Sequence, residues 1–414
     1  MSQTAERQIA RGMRDVLPDE MDRTRAVESA FAATCRAWGY REVRTPAIEP
    51  LHLFTAAGTL SPQALDRIYS FLDWDGWSGE RVVLRPDSTI PAARLYAEHL
   101  DGGRIAKLFY NQNVFRFTDD GSSREEWQCG VELIGETGRA GDVELVLLAL
   151  DALRALGVAD VRVRLSHVAI VRAVLAAAGL APEEQASAYD RLLDGDLAVV
   201  DEIEARLPQL NAPLRLLFEV EGAGSGYLAN VGAALAEAVP GLAGPIAELA
   251  FVVAALEAAG VRPVVQTVLM RNFEYYSGVV MKIDGPAGER IATGGRYDEL
   301  IGQVSGKPVP ASGLAFYLST LVSIVESPAQ ATRPTVTVAA STDSPGALAE
   351  LHRVATALRE AGAIVSTTAS ESASGGFHVQ CRDGFPRYAV ANTGAEPRLV
   401  DDVGGVLAAL GIAS

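Results

Sequence analysis

Apolar residues recur at helical spacing through Val27, Ala30, Phe31 and Cys35, which predicts an opening helix over residues 21–40 with Gly39 as its stop. A short strand-like run at 42–45 follows and ends at Pro46. From there to about Gly135 the spacing shortens to two, and residues 81–85, 107–112, 114–118 and 127–134 read as strands separated by turn-rich loops. No helix alternates with them, so they predict an antiparallel sheet. A helical pattern then covers 142–156, and a strand 161–165. Between about 169 and 260 Ala and Leu dominate and nearly every segment returns to helical period, after which strands resume at 264–270 and 279–283. This is the pattern of a sheet interrupted by a helical insertion and then completed.

Residues 327–334, with Pro328 and Pro334, read as a linker. They separate a domain over 1–326 from a small α/β domain over 335–414, where strands at 335–340, 363–368 and 376–381 alternate with helices at 348–361 and 401–411. A division is expected, because single cores stop growing at about 250–300 residues and the chain has 414. No uninterrupted apolar run approaches the roughly 20 residues of a bilayer span, and the start of the chain, with Glu6, Arg7 and Arg11, is unlike a secretory leader. Cys35, Cys129 and Cys381 are odd in number and form no Cys-x-x-Cys. They predict a reducing, cytoplasmic setting without disulfides or structural zinc.

Charge narrows the partners. Thirty-six Lys and Arg face 52 Asp and Glu, a net −16, which is a poor basis for holding a polyanion. Only Lys107, Lys282 and Lys307 are lysines; the other cations are arginines, suited to fixed contacts with carboxylate or phosphate. The run Gly222-Ala223-Gly224-Ser225-Gly226 resembles a phosphate cradle, yet it has no Val/Ile-rich strand before it and no Lys-Ser/Thr after it, and so reads as an interhelical loop. The five histidines show no metal-ligand spacing, and His167, at a strand end, reads as a hydrogen-bonded core residue.

Four polar clusters fall on predicted strands or strand ends, where side chains can be aimed rigidly. The first is Leu84-Arg85-Pro86-Asp87-Ser88-Thr89. In the second, Phe115-Arg116-Phe117-Thr118 leads through a turn to Gln128-Cys129-Gly130-Val131-Glu132. Period two puts Gln128, Gly130 and Glu132 on one face, with Gly130 leaving room for a ligand against the backbone. The third is Arg271-Asn272-Phe273-Glu274-Tyr275-Tyr276-Ser277-Gly278, and the fourth Thr293-Gly294-Gly295-Arg296-Tyr297-Asp298. Together they offer Asp87 and Glu132 for an ammonium and an imidazole, Arg116 and Arg271 for a carboxylate, and tyrosines for a ring. A zwitterionic, ring-bearing amino acid matches that complement.

On these motifs the chain resembles the class II histidyl-tRNA synthetase family over nearly its whole length. Gly12-Met13-Arg14-Asp15-Val16-Leu17-Pro18 resembles the family's N-terminal signature, and Gly39-Tyr40-Arg41-Glu42-Val43-Arg44-Thr45-Pro46 resembles motif 1, its dimer-interface element. Residues 115–135 resemble motif 2, and the third and fourth clusters the two histidine-specific signatures. The resemblance implies an α+β fold: a six-stranded antiparallel sheet flanked by helices, a helical insertion, and a C-terminal α/β domain. It also implies a histidine pocket. Asp87 stands where the family has an imidazole-contacting glutamate; Thr89, Gln128 and Glu132 match the amino-group contacts, Arg116 and Arg271 the carboxylate- and phosphate-side arginines, and Tyr275 and Tyr276 the ring contacts. No cofactor and no metal are implied.

The departures fall on the ATP side. Motif 2 reads Phe-Arg-x-Glu in the family, but the fourth position here is Thr118; the loop arginine position is Ser122, while Arg124 remains. Motif 3 ends in Gly-φ-Glu-Arg, and here Tyr317, Ser319 and Thr320 take the three fixed places. One preorganised electrostatic contact is commonly worth on the order of 100- to 1,000-fold in rate, so amino-acid activation is expected to be negligible. Residues 333–414 hold six arginines and eight acids, so the domain that reads tRNA in the synthetases is here slightly acidic. This combination resembles the ATP phosphoribosyltransferase regulatory subunits, synthetase-like proteins of histidine biosynthesis. The resemblance implies no catalytic residues, a hetero-oligomer (a hetero-octamer) with a short catalytic phosphoribosyltransferase, a homodimer through the motif 1 region, L-histidine as an allosteric ligand, and no tRNA or membrane partner. A divergent histidyl-tRNA synthetase, or a stand-alone synthetase-like protein with another substrate, stands as the alternative.

Overall fold

The computed structural model describes residues 9–56, 68–74, 79–100, 102–117, 123–208, 214–215, 217–218, 222–235, 237–239, 241–269, 276–325, 334–342, 344–368, 376–382, 387–392 and 395–412. The chain forms two compact units, residues 1–326 and 327–414; most of the expected linker lies outside the described residues.

The first unit opens with α1 (Pro18–Ala37), which starts on a proline, carries Asp19 and Glu20 in its first turn and Arg36 in its last, and buries Val27, Phe31 and Cys35 along one stripe. Then β1 (Arg41–Glu42), β2 (Ile48–Pro50), α2 (Leu51–Ala56), β3 (Ser70–Trp74), β4 (Gly79–Leu84) and α3 (Thr89–His99) lead to the long strands β5 (Ala106–Phe115) and β6 (Glu125–Ile134) and to α4 (Ala140–Ala155). After β7 (Arg162–His167) comes the helical insertion: α5 (Val168–Ala177), α6 (Pro182–Leu193), α7 (Ala198–Arg206), the two-residue β8 (Gly222–Ala223), α8 (Gly224–Leu235) and α9 (Ala243–Ala258). The unit is completed by β9 (Val264–Val265), β10 (Val279–Asp284), β11 (Arg290–Arg296), α10 (Leu300–Ser305), β12 (Ala311–Tyr317) and α11 (Leu318–Ile324).

Among the described residues the main sheet has nine strands in the order β1-β5-β6-β12-β11-β10-β7-β9-β8. The six from β5 to β7 pair antiparallel throughout, as expected. The additions are strands of two residues each: β1 parallel to β5, β9 parallel to β7, and β8 antiparallel to β9. Two-residue strands leave no periodic trace, which is why Gly222 and Ala223 read as loop and instead pair with Val265 and Val264. The two strands expected at 107–112 and 114–118 are one, because Asn113 pairs with Trp127 and its Nδ2 donates to Glu125 at 2.8 Å. Strands β2, β4 and β3 form a separate small sheet.

Register gives the main sheet two unlike faces. On one, Phe109, Cys129, Val131, Leu133, Leu165, Met281, Leu314 and Phe316 form a core with α1, α4 and α11; Phe31 of α1 makes edge-on ring contacts with both Phe109 and Phe316. The other face carries Tyr110, Gln112, Gln128, Glu132, Thr293, Lys282, Arg164 and Tyr317. At the edge of the apolar face Arg296 ties β11 to the start of α4. It reaches Asp142 at 3.1 Å and donates to Gly138 O at 3.0 Å. Burial pushes the Asp142 carboxyl up to about 6 against the pull of that arginine.

The second unit contains β13 (Thr335–Ala340), α12 (Pro345–Glu360), β14 (Ile364–Thr368), β15 (Phe377–Cys381), β16 (Tyr388–Asn392), β17 (Arg398–Val400) and α13 (Val403–Leu410). Its sheet runs β14-β13-β15-β16-β17, with the first three strands parallel. Ser344 and Asp402 cap the two helices through their side chains. Among the described residues no helix is long and apolar enough to cross a membrane.

Candidate functional site

Strand β6 aims Gln128, Gly130 and Glu132 at the polar face, and register sets their neighbours: Tyr110 and Ala315 flank Gly130, and Gly313 lies opposite Glu132. Glu132 is 1% exposed. Its Oε1 accepts the Tyr110 hydroxyl at 2.9 Å, and its Oε2 accepts the Tyr297 hydroxyl. The Tyr110 hydroxyl also lies 3.4 Å from Thr89 Oγ1.

Glycines make this packing possible. A Cβ on Gly313 would stand 1.9 Å from Glu132 Oε2, one on Gly130 2.3 Å from the Tyr110 ring, and one on Gly295 2.8 Å from the Tyr276 ring. The space above Gly130, expected to admit a ligand, is therefore filled by a ring from the neighbouring strand. That outcome depends on cross-strand register, which period two on β6 alone does not carry.

Asp87 precedes α3, and its Oδ1 accepts the N–H groups of Thr89 and Ile90 at 2.8 and 3.1 Å. Burial raises the Asp87 carboxyl, opposed by the charge of Arg116 and by backbone N–H groups. Glu132 is pushed up to about 8 by burial, with the bonds from Tyr297 and Tyr110 opposing and the charge of Asp87 reinforcing. Tyr276 is kept un-ionised by burial and by the nearby Tyr317, Asp87 and Glu132. Asp87, Thr89, Glu132 and Tyr276 are thus one electrostatic cluster around Tyr110. A buried Glu132 that favours its protonated form, beside a half-buried Asp87 whose carboxyl is raised by desolvation, with no described cation against Glu132, suits a ligand that brings positive charge.

Gln128, 6% exposed, has an Oε1 without a hydrogen-bond partner and lies directly opposite Tyr317. Arg116, exposed just past β5, donates through Nε to Pro86 O at 2.8 Å. Arg271 and Tyr275 lie outside the described residues, as do Thr118 and Ser122. The hydroxyls of Tyr110 and Tyr297 are the contacts that sequence reasoning missed. Tyr110 alternates with Leu108 and Gln112 on β5 and Tyr297 ends the fourth cluster, but only the register brings both to Glu132.

Tyr317 closes β12. Its hydroxyl is 3.1 Å from Thr293 Oγ1, and the Arg290 guanidinium sits 4.4 Å from its ring centroid. Ser319 is exposed in α11 and Thr320 partly buried. Arg124 is committed to packing: its guanidinium stacks 3.9 Å from the Phe117 centroid and donates to the Tyr69 hydroxyl at 3.3 Å. The glycine run at 222–226 is not a phosphate cradle, because the Glu257 carboxylate accepts Ser225 N–H at 3.3 Å and Ser225 Oγ–H at 2.9 Å at the start of α8. His167 is a buried core residue that accepts the Ala169 N–H at 3.2 Å and meets Glu248 at 3.0 Å.

A sequence profile of the histidyl-tRNA synthetase family matches residues 12–321. The ATP phosphoribosyltransferase regulatory subunit of Dehalococcoides mccartyi is 47% identical over 317 residues, 76% of this chain and 77% of that one. A histidine–tRNA ligase of Methanosarcina acetivorans is 33% identical over 324 residues, covering 76% and 74% of the two chains. Among solved structures, an ATP phosphoribosyltransferase regulatory subunit/histidyl-tRNA synthetase from Bacillus halodurans shares the fold with a TM-score of 0.77 at 24% identity, covering 90% of this chain and 96% of that one. The chain belongs to the histidyl-tRNA synthetase-like family and, within it, to the ATP phosphoribosyltransferase regulatory subunits.

Proposed function

We propose that this chain is a non-catalytic subunit that binds L-histidine and, in the cytoplasm, assembles with a short catalytic ATP phosphoribosyltransferase. It supports that enzyme in the first step of histidine biosynthesis and carries feedback by histidine. One observation supports the reading: the polar face gathers Glu132, Asp87, Thr89 and Tyr110 into one cluster, while Tyr317, Ser319 and Thr320 stand where motif 3 has its fixed residues. The site consists of Asp87, Thr89, Arg116, Gln128, Glu132, Arg271, Tyr275 and Tyr276. Glu132, Gln128 and Thr89 take the ammonium, Asp87 and the tyrosines the imidazole, and the two arginines the carboxylate. A ligand that binds one state of an assembly better than another shifts the assembly toward that state, and this linkage is all that feedback requires.

The self-association surface is the groove of about 790 Å³ between α1 and β5, lined among others by Phe31, Ala32, Arg36, Arg44, Phe109 and Trp127. It contains the motif 1 segment, and a second copy packs there in the hetero-oligomer, an octamer with the catalytic chains. Co-purification tests the whole reading. The chain is expected to hold a short catalytic phosphoribosyltransferase on a column and to be required for its activity. Histidine-dependent ATP–pyrophosphate exchange by the purified chain would instead make it a working synthetase.

A further inference from the structure

We propose that Tyr317 sets the size limit of the amino-acid site, holding it to a free amino acid and shutting out the same amino acid extended through its carboxylate into a nucleotide. The inference rests on the histidine-site reading above and adds to it a steric reason for the loss of activation, separate from the loss of cations.

The argument starts from the side chains β12 gives to the polar face, which are Gly313, Ala315 and Tyr317 in order. The first two bring little or no side chain of their own, and the Glu132 carboxylate and, over neighbouring Gly130, the Tyr110 ring occupy the space beside them. The third brings a phenol ring, in the place where motif 3 has glycine. Tyr317 pairs in register with Gln128, and such directly opposed residues hold their Cβ atoms about 5 Å apart. The ring therefore stands at the Gln128 end of the site, the end toward which β5 delivers Arg116. That is the carboxylate end of the ligand, so a group attached to the carboxylate runs into Tyr317.

The wall is fixed. The hydroxyl is held 3.1 Å from Thr293 Oγ1, Arg290 covers the ring at 4.4 Å, and the backbone passes directly into α11. Tyr317 is also close enough to Tyr276 to help keep that phenol protonated. Moving the ring aside breaks the Thr293 contact and the Arg290 stack together.

The test uses the full-length chain, calorimetry, and two probes: L-histidine and the non-hydrolysable sulfamoyl analogue of histidyl adenylate. The unaltered chain is expected to bind the analogue on the order of 100-fold more weakly than histidine, the scale of forcing extra atoms against a rigid wall. Tyr317→Gly is expected to bring the analogue to within about tenfold of histidine with histidine binding little changed. Tyr317→Phe keeps the ring without its hydroxyl bond and is expected to stay closed, which separates the wall from the Thr293 contact. An analogue that binds the unaltered chain as tightly as histidine overturns the inference and leaves the histidine site standing. So does unchanged discrimination in a folded Tyr317→Gly chain. No histidine binding by the unaltered chain overturns the site reading and the inference with it.

Discussion

Glu132 concentrates the chemistry of the site in one carboxyl group buried between two phenols. Its ordinary value is 4.5, and burial moves it to about 8. Across that interval the folded chain holds a proton that the unfolded chain has released. The stabilisation is therefore complete below the unfolded value and is lost as pH rises through the folded one. Asp142 behaves alike but only up to about 6, and burial lowers His167 below its ordinary 6.5, which acts in the opposite sense near that value; the fall above it is carried by Glu132. Thermal melting of the free chain is expected to drop between about pH 6 and pH 8, at up to about 1.4 kcal/mol per pH unit, and Glu132→Gln is expected to flatten that drop. An equal slope in the variant would remove Glu132 as its source. A ligand ammonium reverses the preference by favouring the ionised form, so protection by histidine grows over the same range. Glu132→Gln should weaken histidine binding by about 1.5–3 kcal/mol, the worth of a hydrogen bond to a charged group, as read by calorimetry.

Elements carry the site through ladders and ties. On the β5–β6 ladder, Gly130→Ala places a methyl 2.3 Å from the Tyr110 ring, so the ring must withdraw from Glu132 and Thr89. Histidine affinity is expected to fall in that variant although residue 130 touches no ligand, and calorimetry showing unchanged affinity would mean that Tyr110 does not position the site. On the β11–α4 tie, Arg296→Met leaves Asp142 buried without its partner, which is expected to cost about 3–5 kcal/mol. Denaturant unfolding checks this, and the double variant with Asp142→Asn should recover much of the loss. What could be read from the chain follows the same division. The facing of Gln128 and Glu132 was legible because period two is local. Helix α3 was not: Pro91 and the short run after Asp87 gave no clear stripe, and its start is fixed by Asp87 accepting two backbone N–H groups. Strands β16 and β17 were missed because runs of five and three residues are defined by their pairing. Tyr110 and Tyr297 reached Glu132 only through contacts 22 and 165 residues apart in sequence.

At the scale of the molecule, charge and the α1–β5 groove bear on the same assembly. The groove reaches Gln112, 2% exposed with its Nε2 unpartnered, and Asn111, whose buried Oδ1 is unpartnered too. A second copy placed over the groove has the exposed indole of Trp127 to cover and the exposed Arg36 and Arg44 side chains to meet. A two-fold pairing brings the same patch from both chains. It also brings together two chains of −16 each, whose repulsion acts over a Debye length of about 30 Å at 0.01 M salt and about 8 Å at 0.15 M. The dimer is therefore expected to tighten as salt rises, the opposite of an interface held by opposite charges, and sedimentation equilibrium across that range reads the sign directly. Ala32→Arg, on the groove wall of α1, is expected to yield monomers with unchanged circular dichroism. If the variant remains dimeric, or if salt weakens the dimer, the copies meet through some other surface.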